Sequence, residues 1–145
     1  MSLNFDHMAR CIHTLEESLV QLDRCPEAND VLHEIFRNAV IKGFELTLEV
    51  SGKLLRKALQ EYAGTPGEIN KLVFKDVFRR AAFHGLMTLD EVERWFIYRD
   101  SRNNTAHDYG ELFANKVLEM IRAFVVDAKR LHRSLEERHG SSSGA

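Results

Sequence analysis

The chain has 145 residues, of which 44% are hydrophobic and 29% charged, enough to bury one sizeable core and too apolar for a disordered segment. Its 20 basic and 22 acidic residues leave a formal net charge of -2. This excludes a uniformly cationic surface, so any nucleic-acid contact has to come from a local basic patch. No apolar run reaches the roughly 18 residues of a membrane helix, and the N-terminus lacks a signal-peptide pattern.

Cys11 and Cys25 have no metal-ligand spacing, which predicts reduced thiols in a cytoplasmic protein. Residues 1–138 are expected to form one domain and residues 139–145, ending in GSSSGA, a flexible tail. Phe5, Met8, Ile12, Leu15, Leu19 and Leu22 step by three and four, the narrow apolar seam of a bundle helix. Pro26 ends that helix, because proline disfavours helical geometry at the residue before it.

From about Asn29 to Tyr62 the chain carries its longest helical pattern, with two apolar stripes. Leu32, Ile35, Ala39, Leu46, Val50 and Leu54 make one. Phe36, Val40, Phe44, Leu48, Leu55 and Leu59 make the other. Two apolar flanks predict a central helix packed between neighbours. Gly43 and Gly52 each cost about 1 kcal/mol against alanine inside a helix, which predicts close approach of another backbone. Glu45, Glu49 and Lys53 read as a solvated ladder.

Thr65-Pro66-Gly67-Glu68 has the order of a capped helix start. Ile69, Leu72, Val73, Val77, Phe78 and Ala81 follow as one apolar face, with Gly85 as the stop. Lys71, Lys75, Arg79 and Arg80 lie largely off that face; such residues usually serve as solubilising charge, and they are also the best basic patch available to an RNA ligand. Thr88 and Glu91 form a second capping box, and Leu89, Val92 and Phe96, with Trp95 as a further candidate, supply the core stripe of a shorter helix. Asp108 and Glu111 look like the cap of a final helix bearing Phe113, Val117, Met120, Ile121, Phe124, Ala128, Leu131 and Leu135. With no strand alternation anywhere, the expected fold is all-α: an antiparallel up-and-down four-helix bundle with an additional short helix.

No phosphate loop, nucleophile elbow, zinc-finger spacing or HExxH motif is present. His132, Glu136 and His139 have the spacing of metal ligands on one helix face but sit at a charged terminus, where a solvated surface is expected. The chemistry concentrates in RDSRNNTAHDY, Arg99 to Tyr109. On an unbroken helix Arg102 and His107 would lie about 140° apart, and Arg102 and Tyr109 about 20° apart. They converge only if the helix breaks near Thr105 or if a second subunit contributes. On residue types alone the stretch fits a site and a polar helix connection equally.

The run Arg102-Asn103-Asn104-Thr105-Ala106-His107-Asp108-Tyr109 resembles the signature of the prokaryotic HEPN domains. The branch it resembles is paired with minimal nucleotidyltransferases, often called nucleotidyltransferase substrate-binding proteins or HepT-like toxins. GFELTLEVSGKLLRKAL and VFRRAAFHGLMTLDEVERWFIYRDSRNNTAHDY are similar to that branch's second helix and its lead-in to the motif, and the likeness covers roughly residues 5 to 135. Gly52 departs from the tryptophan usual there.

The resemblance implies a HEPN-type fold and a metal-independent endoribonuclease, often the toxin of a toxin–antitoxin pair, whose two motifs share a cleft in a homodimer. His107 would move a proton as the RNA 2′-hydroxyl attacks the adjacent phosphate. Arg102 would bind the phosphate and developing charge, and Asn103 would orient substrate or His107. Tyr109 matches the position where the partner nucleotidyltransferase attaches AMP, so ATP would be the partner's substrate and this chain would hold no cofactor. RNA is then the expected ligand, with neither DNA nor membrane. Two alternatives remain: a non-catalytic substrate- or nucleotide-binding subunit of a two-component nucleotidyltransferase, and a structural dimerisation bundle.

Overall fold

The computed structural model describes residues 4–63, 65, 67–104 and 111–140, with 102–104, 111–113 and 140 placed as helix backbone alone. Five α-helices account for most of them: α1 (Asp6–Arg24), α2 (Asp30–Leu59), α3 (Phe74–Phe83), α4 (Leu89–Asn104) and α5 (Glu111–Leu135). Short 3₁₀ turns occupy Gln60–Tyr62 and Ile69–Lys71, and a π-turn occupies Glu136–Gly140. No strand occurs among the described residues. The all-α bundle with one additional short helix is thus the observed architecture, α3 being the short one.

The seam of α1 is buried at all six predicted positions, and the helix ends at Cys25, whose extended backbone leads into Pro26. Asn29 caps α2 by accepting a hydrogen bond from the Leu32 N–H at 3.1 Å, an arrangement worth about 1 kcal/mol. Contacts running Asp23–Arg122, Glu16–Lys129 and Phe5–His132 set α5 antiparallel to α1. Both cysteines are free thiols, and no helix among the described residues is long and apolar enough to cross a membrane.

The stripes of α2 have different fates. Val40, Phe44, Leu48, Leu55 and Leu59 are fully buried, whereas Leu32, Ile35 and Leu46 are exposed, Ile35 at 53%. The expectation of a helix covered on both flanks therefore holds only beyond Leu46. The reason is length. Ten-residue α3 spans about 15 Å and cannot cover a 30-residue helix of about 45 Å. Gly43 admits α1 closely, since a Cβ there would lie 3.1 Å from Leu15 Cδ1 and 3.5 Å from Leu15 Cα. Gly52 faces a ring instead of a backbone: a Cβ would lie 3.1 Å from Phe74 Cε2.

The expected long helix from Thr65 is two pieces. After the Ile69–Lys71 turn the chain extends through Leu72 and Val73 before α3 begins at Phe74. The Arg56 guanidinium holds this break by donating to the carbonyls of Ile69 and Leu72, each at 2.8 Å. Val73, expected in the core, is consequently exposed. Gly85 stops α3 with a φ of 77°. The Leu86 N–H bonds the Ala81 carbonyl and the Gly85 N–H that of Ala82, the paired pattern of a left-handed C-terminal cap. Thr88 and Glu91 form the reciprocal capping box, with both bonds at 3.1 Å.

Glu49 and Lys53 pair at 3.0 Å on the surface, as expected of a solvated ladder. His139 is not solvated. Its ring is buried against Tyr62, with Nδ1 2.9 Å from Glu61 Oε2, while His132 Nε2 lies 3.2 Å from the Phe5 carbonyl oxygen. These two histidines are thus used separately, and no metal-ligating cluster occurs among the described residues.

Because the Phe74 ring occupies the space over Gly52, Gly52→Trp should destabilise the fold by about 1–3 kcal/mol through overpacking. Much of that loss should be recovered when Phe74→Ala is added, a coupling readable from a double-mutant cycle of denaturant melts.

Candidate active site at the end of α4

The motif begins on the last turn of α4, so what fixes α4 aims it. Trp95 is fully buried between Phe78, 5.0 Å away and nearly parallel, and Phe124, 5.5 Å away and edge-on. Tyr98 meets Phe124 edge-on at 5.0 Å, and Phe124 meets Phe44 of α2 at 4.8 Å. Such offset and edge-to-face contacts add to the stabilisation from burial alone. Val92 and Trp95 are buried as expected and Tyr98 joins them, whereas Phe96 is only partly buried against the core and Leu89 is 75% exposed. Trp95 and Phe96 are neighbours about 100° apart on the helix, and the larger indole takes the interior.

One polar group accompanies this aromatic cluster. The buried Asp127 carboxylate of α5 accepts from Arg94 Nε at 2.8 Å, Arg94 Nη2 at 2.9 Å and Tyr98 Oη at 2.5 Å. A buried carboxylate needs such donors, and a bidentate guanidinium supplies charge and orientation together. Burial first, and then the bond to Asp127, push the Tyr98 phenol well above its ordinary value of 10.0. The hydrogen bond to Asp127 likewise raises Arg94. Near the C-terminal end of α4, Ser101 Oγ contacts Met120 Sδ at 3.6 Å.

The outer face of α4 carries a second arrangement. Lys75 and Arg79 of α3 lie 5.3 and 5.0 Å from the Phe96 ring centre, and Arg99 lies 5.0 Å from that of Phe74. Lys75 also reaches Asp100 at 3.2 Å. Two of these cations also meet carboxylates, Lys75 that of Asp100 and Arg79 that of Asp76, so the surface beside the last turn of α4 sets cations, acids and aromatic faces together.

Arg102 and Asn103 belong to the last turn of α4 by backbone, and their side chains lie outside the described residues, as do His107 and Tyr109 entirely. Helix resumes at Glu111. The predicted cap residue Asp108 is likewise outside. The Arg94–Tyr98–Asp127 cluster went unread in the sequence, although a signal was present. Asp127 sits on the buried stripe of α5 between Phe124 and Ala128, where a carboxylate demands partners, and Arg94 and Tyr98 have the i, i+4 spacing to supply them.

Residues 3–137 match the model of the family described as nucleotidyltransferase substrate binding protein like. The chain belongs to this family. A curated relative, the probable ribonuclease HepT of Haemophilus influenzae, is 30% identical over 143 residues, with 94% of each chain covered. A solved Haemophilus influenzae structure, described as revealing the fold of a substrate binding domain of a nucleotidyltransferase, superposes with a TM-score of 0.80. It is 28% identical and covers 92% of this chain and 99% of its own. A crystal structure from Thermus thermophilus gives a TM-score of 0.63 at 27% identity, covering 90% and 97% of the two chains. The family is therefore the one that the motif and its flanks resemble.

Tyr98→Phe should cost about 1.5–3 kcal/mol, because it takes a donor from a buried charge. The raised phenol pKa means the folded state favours the protonated form. Its contribution is complete below pH 10.0, the ordinary phenol value, and is lost as the pH climbs above it. Alkaline denaturant melts should accordingly show a steeper loss of stability for the wild type than for Tyr98→Phe.

Proposed function

We propose that the chain is a metal-independent endoribonuclease of toxin type, acting at a cleft between two copies and silenced by a partner nucleotidyltransferase. The observation that carries this reading is the Arg102-x4-His107-x-Tyr109 motif at the end of an anchored α4. It stands in a chain whose full-length relative is named a probable ribonuclease. In this reading His107 takes the proton from an RNA 2′-hydroxyl, whose oxygen attacks the adjacent phosphorus. The P–O5′ bond breaks, leaving a 2′,3′-cyclic phosphate and a 5′-hydroxyl, and the proton returns to the leaving oxygen. Arg102 neutralises the charge that builds on the phosphoryl oxygens, and Asn103 orients the attacking group or His107. No resident cofactor enters.

Silencing in this reading is adenylylation. The Tyr109 oxygen attacks the α-phosphorus of ATP on the partner enzyme, pyrophosphate leaves, and the attached AMP places a phosphate against Arg102. The name of the structural neighbour, a substrate binding domain of a nucleotidyltransferase, favours a second reading in which the polar end of α4 only presents a substrate or nucleotide to that partner. The two separate in one experiment. In EDTA the purified protein should cleave RNA, with His107→Ala losing about 10²–10⁴-fold and Arg102→Ala about 10²–10³-fold. Mass gain on Tyr109 with the partner and ATP, but no cleavage by the unmodified protein, would instead establish the accessory role.

The homodimer has its own support. Val31, Leu32 and Ile35 form an exposed apolar strip on the N-terminal half of α2, with Val31 68% exposed, and Leu46 adds an exposed apolar side chain just past the helix midpoint. A second copy meeting the same strip across a two-fold axis would bury it. Ile35→Glu should convert a dimer into a folded monomer in analytical ultracentrifugation. A dimer that persists in this variant would remove α2 from the interface.

A further inference from the structure

Lys75, Arg79 and Phe83 stand at i, i+4 and i+8 along the outer line of α3, spanning about 12 Å, with Arg80 beside them. One end of this line lies at the candidate active site, because Lys75 reaches Asp100 of α4, two residues before Arg102. The other end opens into a cleft of about 650 Å³ between α3 and the Gln60–Tyr62 turn, walled by Tyr62, Arg79, Arg80, Phe83 and His84 among others. Its aromatic groups are arranged for stacking. Tyr62 and His84 already lie face to face at 4.2 Å and 15°. The Phe83 ring meets His84 edge-on at 5.1 Å, and Phe83 is 82% exposed.

From this geometry we infer that the outer face of α3 is a single-stranded RNA track, with a nucleobase seated in the Tyr62–Phe83–His84 cleft and the flanking phosphates on Arg79, Arg80 and Lys75. Aromatic faces that accept any base, interleaved with cations that follow the backbone, are what sequence-tolerant single-strand binding requires. Each cation of the line has an acidic neighbour: Lys75 pairs with Asp100 at 3.2 Å, Arg79 with Asp76, which also walls the cleft, at 2.7 Å, and Arg80 with Glu68 at 3.2 Å. All six side chains are at least one-third exposed, and exposed pairs of this kind are weak enough for a phosphate to compete. A flexible acidic peptide could use the same cations, but only a nucleic acid carries a flat ring beside every anionic group.

The substrate class rests on the ribonuclease reading, so the test separates binding from cleavage by using a strand that cannot be cut. A fluorescein-labelled 2′-O-methyl oligouridine of about twelve nucleotides is titrated into the full-length protein and followed by anisotropy at several salt concentrations. Phe83→Ala should weaken binding about tenfold while Phe83→Tyr retains it. Arg79→Gln combined with Arg80→Gln should reduce the slope of log affinity against log salt by about 1.4. Thermal melts of each variant establish that it is folded. Wild-type affinity and salt slope in both folded variants would overturn the track, as would a change in sedimentation of the protein alone, which would make the cleft a protein contact. A wild type that binds this strand with the expected losses but leaves RNA intact would refute the nuclease and keep the track.

Discussion

A carboxylate withdrawn from water has to find its hydrogen bonds in the protein, and Asp127 finds all three on a single neighbouring helix. Arg94 and Tyr98 are one turn apart on α4, so the bidentate guanidinium and the phenol together determine both the height and the rotation of α4 against α5. An apolar seam alone tolerates small slides, because dispersion contacts are numerous and individually weak. A three-donor carboxylate does not, since a slide strands a buried charge. Whatever Arg102 does, it does from a helix indexed by this contact.

The same helix separates core from function on its opposite faces. Trp95 and Tyr98 turn inward to the aromatic cluster, and Phe96 turns outward beneath Lys75 and Arg79. Phe74 does the corresponding work on α3, lying over Gly52 of α2 while Arg99 lies over it. Where the resemblance implies tryptophan, this chain has a glycine, and a ring from another helix fills the space.

Helix length explains the rest of the surface. The long α2 carries an apolar strip past the reach of short α3. The break at Leu72–Val73, fixed by Arg56, shortens α3 and opens the cleft beneath its C-terminal end.

Much of this architecture was legible before any coordinates. The α1 seam, the capping box at Thr88 and Glu91, and the glycine stop at Gly85 are encoded by residues within one or two helical turns, so periodicity and cap chemistry suffice to read them. The motif at Arg102–Tyr109 was legible in the same way, by its residue types and flanks. Three features were not: the partners of Asp127, the division of labour between Trp95 and Phe96, and the meeting of Tyr62, Phe83 and His84. Each depends on which helix lies opposite, and side-chain periodicity within a helix is silent about the neighbour that its face will meet. Local sequence determined where the helices start, stop and turn their apolar sides. Tertiary packing alone decided which polar group each buried charge would find and which rings would be left facing water.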